Sequence, residues 1–415
     1  MSSQNLHGTV LVLSDVHASS RDDAKYNSKV ALNNSLAFGP RDPLTDLQRA
    51  AKHILDWQSV DLLLAPGDFV DRGDAPSIPR VWETFQTIGE ILDVPVIGTL
   101  GNHDVVVKSP SLSDSIKPAR ERLSNFPTSD QLLNEHYWER NWCISEQPKF
   151  RILVVNTVAS AKPEKSLQTH ELNKMKLALE QGHISCSMIR EIDHAINQIQ
   201  PDNKIPILLL HHHARDVISE KRFESEYGPT QNVSQLIHML DNHVACTGQW
   251  MIVHGHKHLP AVYRLSDTTD NGPFALAAAS VGARAWPDII DAFANQAHTI
   301  EFASRPDTTH PLYGVVRSWS WLPGYGWLAP TGPCQGLAKQ VGFCYQVSPR
   351  RLATEIETIV NKESYLDISE LPENLPYYKY VFQKTIDDAF AIICRDGYAL
   401  IEDSAGEYRW IRERR

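Results

Sequence analysis

The chain has 415 residues, 42% of them hydrophobic, which is enough for one large domain with an appendage or for two to three average domains, without disulfides to hold the core. Its six cysteines form no Cys-x-x-Cys pair, which argues against a disulfide framework or a thiolate zinc site. With 50 Asp and Glu against 40 Lys and Arg, the formal charge of −10 argues against a surface that binds long nucleic acid non-specifically, while leaving room for a local basic groove.

The polar start, Ser2-Ser3-Gln4-Asn5, has neither the basic nor the apolar region of a signal peptide, and no apolar run is long enough to cross a bilayer. A cytoplasmic protein without a membrane partner is expected. Val10-Leu11-Val12-Leu13 reads as a buried strand that ends in Ser14-Asp15-Val16-His17. Residues 18–41 read as a long polar loop beside that ending. Asp42-Pro43 pairs a helix N-cap with proline at the first helical position, and Leu44, Leu47, Ala50, Ala51, Ile54 and Leu55 then recur at helical spacing.

Val60-Asp61-Leu62-Leu63-Leu64 predicts a second strand. The stretch that follows, from Ala65 through Gly67, Asp68, Asp71 and Arg72 to Gly73, sets two carboxylates and an arginine in a glycine-framed loop. Val81, Trp82, Phe85, Ile88, Ile91 and Leu92 share one face of a second helix, and Val94-Pro95-Val96-Ile97 leads into Gly101-Asn102-His103-Asp104. The strand and helix rhythm predicts parallel pairing of these three strands in a layered α/β fold.

Residues 105–149, with Tyr137, Trp138 and Trp142 clustered, read as an insertion over the site. Residues 150–155 form another strand, and residues 184–199 an amphipathic helix. The apolar run 205–210 ends in His211-His212-His213. A short helix over 233–240 precedes the run 250–253, which ends in His254-Gly255-His256-Lys257-His258. Residues 274–279 run into Ser280-Val281-Gly282 and complete a two-sheet core. Segments 299–302 and 313–319 predict a strand pair that closes the domain near Pro330, and the Gly- and Pro-containing stretch 324–336 is the expected boundary. Residues 331–415 form an accessory region with a helix over 352–360, a hairpin of 398–401 with 408–411, and no catalytic constellation.

Five apolar runs thus end in Asp, Asn or His, and the carboxyl ends of strands in an open α/β sheet border the crevice where ligands bind. Carboxylate and imidazole donors without thiolates suit manganese, iron, nickel or zinc. In this order and strand context the blocks resemble those of the calcineurin-like metallophosphoesterase superfamily: Asp-x-His, Gly-Asp-x-x-Asp, Gly-Asn-His-Asp/Glu, a later His, and Gly-His-x-His.

The resemblance covers residues 10–282 and implies a four-layer α-β-β-α sandwich over 1–330, with a small α+β extension. It implies two divalent metal ions, manganese favoured. The first would be held by Asp15, His17 and His258, the second by Asn102, His212 and His256, and Asp68 would bridge them. His211 is the alternative to His212, because three adjacent histidines at a strand end cannot all face the metals, and His213 is a candidate substrate contact. A metal-bridging hydroxide would attack phosphorus, with His103 as acid, Asp71 orienting it and Arg72 touching phosphate.

Gly-Asp-Phe-Val-Asp-Arg-Gly also resembles the phosphoprotein phosphatase version of the second block, but the first block lacks its glycine partner and the third ends in Asp104 instead of glutamate. Gly-His-x-His is similar to the phosphodiesterase and nuclease branches. The expectation is therefore hydrolysis of a phosphodiester or nucleotide phosphate. Protein or small-molecule phosphomonoesters, DNA or RNA, and a non-catalytic scaffold stand as alternatives, and the C-terminal region is open to a protein partner.

Overall fold

The computed structural model describes residues 8–20, 29–30, 42–105, 112–159, 178–215, 228–265, 273–284, 293–303, 312–330, 335–402 and 408–413. Most of the expected loop at 18–41, part of the boundary stretch and the turn of the C-terminal hairpin lie outside the described residues.

The first strand, β1 (Gly8–Val12), pairs in parallel with β2 (Leu62–Ala65), and β2 with β3 (Val96–Gly98), as the sequence predicts. Between them lie α1 (Pro43–His53) and α2 (Ile78–Leu92). Asp42 caps α1 by accepting from Thr45 N at 3.0 Å, and proline follows it at the first position, so the orphan donors of the first turn are met where the sequence placed the start.

The second sheet contains β4 (Trp142–Glu146), β5 (Phe150–Val155), β6 (Ile205–Leu209), β7 (Met251–His254), β8 (Ala261–Arg264) and β9 (Phe274–Ala277), in the order β4-β5-β6-β7-β9-β8. Its central strands β5, β6, β7 and β9 are parallel. Strands β10 (Gln296–Ala303), β11 (Tyr313–Leu322), β12 (Gly326–Leu328) and β13 (Gln340–Phe343) complete the first sheet as antiparallel additions.

Alternation along the strands divides the core into layers. Ile205, Ile207, Leu209, Met251 and Val253 join the cluster shared with the first sheet. Leu208, Leu210 and Ile252 instead pack with Met188, Ile192 and Ile196 of α3 (Cys186–Ile196) and with Leu236 and Leu240 of α4 (Val233–Asn242). The two sheets therefore face each other with helices outside, the four-layer arrangement expected. Each fully buried Leu or Ile contributes about 1.5–3 kcal/mol.

Two boundaries differ from expectation. Within the expected insertion at 105–149, residues 131–146 are joined to the core. Tyr137 is buried, and its hydroxyl bonds Leu100 N and Thr99 Oγ1, both at 3.1 Å, while β4 forms the edge of the second sheet. The aromatic cluster is core because Phe126, Tyr137 and Trp138 pack on one another in edge-on and tilted contacts. The first sheet also runs past Pro330, because β13 pairs with β11.

Beyond it, α5 (Pro349–Glu363) and α6 (Gln383–Arg395) pack with the sheet of β14 (Tyr365–Asp367), β15 (Tyr398–Glu402) and β16 (Tyr408–Glu413) around a separate apolar core that includes Leu352, Ile356, Phe390 and Ile411. Among the described residues no helix is long and apolar enough to cross a membrane.

Candidate metal centre

The loops that follow β1 and β2 stay in register past the strands. Asp15 N, His17 N and Ala18 N donate to Gly67 O, Asp68 O and Phe69 O, each at 3.0 Å. Within these loops the backbone turns left-handed at Asp15, His17 and Asp68, with φ of 54°, 50° and 53°, and it does so again at His256 and His258, with φ of 75° and 59°. Non-glycine residues adopt this region at a cost that surrounding structure must offset, so its recurrence at five chemistry-bearing side chains marks a functional cluster. Glycines allow the close packing: a Cβ at Gly101 would lie 2.1 Å from Asp68 Oδ1, and one at Gly255 would lie 2.2 Å from Asp15 Oδ2.

Two groups of donors result. In one, His17 Nε2 lies 2.9 Å from His258 Nε2, 3.4 Å from Asp68 Oδ2 and 3.8 Å from Asp15 Oδ1, and His258 Nε2 is 3.3 Å from Asp15 Oδ1. In the other, Asn102 Oδ1 lies 3.0 Å from His211 Nε2 and 3.1 Å from His256 Nδ1. His211 Nε2 is also 3.3 Å from Asp68 Oδ2, so one oxygen of Asp68 faces both groups. Backbone amides hold the carboxylates in place, His256 N donating to Asp15 Oδ1 at 3.0 Å and His103 N to Asp68 Oδ1 at 2.8 Å.

His212, the expected ligand, shares a possible metal-holding group with its alternative His211 and with His256. Both nitrogens of His212 are occupied elsewhere: Nε2–H donates to Leu179 O at 2.6 Å, and Nδ1 accepts from Thr157 Oγ1 at 2.6 Å. His211 stands beside Asn102 and Asp68 instead. Burial, followed by the charge of His211, lowers the His212 pKa well below the ordinary imidazole value, so its ring stays neutral. His213, expected as a substrate contact, is buried and stacks on His256 at an interplanar angle of 9°. His254 is likewise internal, bonded to Tyr263 Oη at 2.7 Å.

His103, Asp71 and Arg72 lie together at the edge of the first group. His103 Nδ1 is 2.9 Å from Asp71 Oδ1, which leaves Nε2 as the ring's other nitrogen. Arg72 Nε lies 3.8 Å from Asp71 Oδ2, and its side chain is 59% exposed.

The donor chemistry fits divalent cations. His211 Nδ1–H is directed at Pro66 O at 2.8 Å, so in the neutral ring Nε2 presents a lone pair to the oxygens of Asn102 and Asp68. Such a convergence of acceptors calls for positive charge. Burial alone would raise the carboxyls of Asp15 and Asp68. Hydrogen bonds with His17 and His258 hold Asp15 well below the usual carboxylate range, and the charges of His211 and His103 do the same for Asp68. The same field draws charge onto the rings: against burial, Asp15 and Asp71 raise His17 to about 10, and Asp68 raises His211 to about 9. Residues that could hold cations are thus Asp15, His17, Asp68 and His258 on one side and His211, His212 and His256 on the other, with Asn102 Oδ1 beside His211 and His256.

Two carboxylates at the centre had no role in the sequence reading. Asp104 accepts from Val70 N at 3.1 Å and Gly101 N at 2.9 Å, tying the second loop to the third, and burial followed by the charge of Asp68 raises it to about 7. Glu180 accepts from Asn102 Nδ2 at 3.1 Å, and burial raises its pKa. Glu180 lies in no motif, and no signal in the sequence marks it.

The family model for calcineurin-like phosphoesterases matches residues 8–260. Among curated proteins none matches the chain. Among solved structures it is similar to a dimetal phosphatase from Danio rerio, at 13% identity and a TM-score of 0.45, over 75% of this chain and 95% of that one. It is also similar to a purple acid phosphatase from yellow lupin (Lupinus luteus) seeds, at 13% identity and a TM-score of 0.46, over 77% of this chain and 52% of that one. A third similar structure, a 5'-nucleotidase precursor from Thermus thermophilus, has 14% identity and a TM-score of 0.34, over 76% of this chain and 54% of that one.

Proposed function

This chain belongs to the calcineurin-like phosphoesterase family and is a hydrolase of phosphoric esters, and from that premise we propose that it cleaves phosphodiesters or nucleotide phosphates at a binuclear metal centre. In this reading Asp15, His17 and His258 hold the first ion, Asn102, His211 and His256 the second, and Asp68 both. The observation that carries it is Asp68 Oδ2, 3.4 Å from His17 Nε2 and 3.3 Å from His211 Nε2. Manganese is the proposed ion among the oxygen- and imidazole-loving metals.

Two divalent cations, when held there, would supply Lewis-acid charge to the phosphoryl oxygens and lower the pKa of a water. The protein supplies the proton for the leaving group. Asp71 fixes the His103 ring through Nδ1, which turns Nε2 to the task of protonating the departing alkoxide. Arg72, beside Asp71 and largely exposed, offers its guanidinium to a phosphate oxygen.

The preference for diesters rests on the closing Gly255-His256-Lys257-His258 block and on the departures of the first and third blocks from the phosphoprotein phosphatase pattern. It is tested by assaying bis- and mono-aryl phosphates, cyclic nucleotides, dinucleotides and single- and double-stranded DNA with added Mn2+. A higher kcat/KM for diesters is expected. Faster turnover of monoesters overturns the preference, and turnover of none overturns the catalytic reading in favour of a scaffold.

A further inference from the structure

Asn102 can meet a cation with its oxygen but not with its amide nitrogen, and the two ends of the amide are nearly the same size. Its neighbours on the inner side do not settle which end faces inward, since an imidazole nitrogen can donate or accept. Glu180 does settle it. An ionised carboxylate only accepts, so Glu180 Oε2, 3.1 Å from Asn102 Nδ2, admits the NH2 end and turns Oδ1 toward His211 Nε2 at 3.0 Å and His256 Nδ1 at 3.1 Å.

The turn that carries Glu180 is held by the histidine beside the ligand. His212 Nε2–H donates to Leu179 O at 2.6 Å, one residue before Glu180. Thr157 fixes the other side, its hydroxyl donating to His212 Nδ1 and its carbonyl accepting from His183 N at 2.9 Å. Gly182 closes the turn at φ +71°, where a Cβ would come within 2.5 Å of His212 Nδ1. A continuous path of hydrogen bonds and chain therefore runs from Thr157 through His212 and the 179–182 turn to Glu180, and from there to Asn102.

We propose that Glu180 is a positioning residue for the second cation: it orients the Asn102 amide, and His212 acts through it by anchoring the 179–182 turn. This rests on the binuclear reading above. Outer partners of metal ligands typically change metal affinity about 10- to 100-fold when removed.

The test is calorimetric titration of the metal-free chain with Mn2+, for the wild type, Glu180→Ala and Glu180→Gln, with the thermal midpoint of each metal-free protein measured alongside. Two sites are expected in the wild type. In Glu180→Ala one site should be unchanged and the other weakened about 10- to 100-fold, with the metal-free midpoint close to wild type. Glu180→Gln should recover much of the loss, because a glutamine oxygen can still accept from Asn102 Nδ2.

Unchanged affinity in Glu180→Ala overturns the proposal. So does Glu180→Gln as deficient as Glu180→Ala, because that result makes the carboxylate a ligand in its own right. A wild type that binds no Mn2+ overturns the binuclear reading itself, an outcome distinct from two intact sites that ignore residue 180.

Discussion

At the His17 and His258 end of the centre, carboxylate oxygens of Asp15, Asp68 and Asp71 lie 3.8, 3.4 and 3.7 Å from His17 nitrogens. At the His211 and His256 end the contacts are with the Asn102 amide and with Asp68, which both ends share. One end attracts a cation by charge, since three buried carboxylates need compensation. The other offers the Asn102 amide and imidazole rings, and the support of that amide extends outward to Glu180, His212 and Thr157. A binuclear centre built this way need not bind its two ions equally, and the variants below probe the asymmetry.

Asp68→Ala removes the shared oxygen and should collapse the distinction altogether. Metal analysis should find neither ion, and kcat/KM should fall at least about 10^4-fold, as expected when the charge stabilisation of two cations is lost. Full turnover by a metal-depleted Asp68→Ala protein would sink the mechanism.

His211→Ala should lose one ion of two and about 10^3-fold in activity, since the charge supplied by one cation goes with it. His212→Ala should keep both sites, the second one weakened, while losing about 1–3 kcal/mol of stability, because Leu179 O and the Thr157 hydroxyl are left unpaired. Metal content and denaturant midpoints separate the two variants. If His212→Ala is the one that loses an ion outright, the assignment of His211 reverses.

His103→Ala lies outside the ligand set and should leave the metal content at wild-type level. Its kcat should drop about 10^2- to 10^3-fold, most for poor leaving groups. Equal losses across a series of aryl leaving groups would argue against the acid role. Arg72→Ala should have the smallest effect: an exposed guanidinium contributes about 0.2–1 kcal/mol, so KM should rise no more than about fivefold. A large fall in kcat would instead place Arg72 on the reacting group.

Much of the fold was legible because apolar runs, caps and loop residues agreed locally. Asp42-Pro43 marked the start of α1, and three strands separated by two helices were parallel as expected. The misreadings came from segments whose polarity misled. The aromatic residues around Tyr137 looked like a cover, but the Tyr137 hydroxyl is satisfied internally by Thr99 and Leu100 N. The Gly- and Pro-containing stretch 324–336 read as the domain boundary, although Gly326 begins a strand paired with Leu322 and the sheet continues to Phe343.

The sequence alone determined where the candidate ligands would stand, because each of the five apolar runs leads into a block of Asp, Asn or His and strand ends meet along one crevice. Which histidine of the triplet turns inward was decided by the tertiary structure. Residues 205–210 are apolar on both faces, as strands buried on both sides are, so the run hides the parity of β6. Once the second sheet packs between the first and its helices, Ile205, Ile207 and Leu209 face the first sheet, and His211 continues their side into the centre. Leu208 and Leu210 face the helices, and His212 follows them to Leu179. Glu180 reaches Asn102 across 78 residues of chain, a contact that local pattern does not encode.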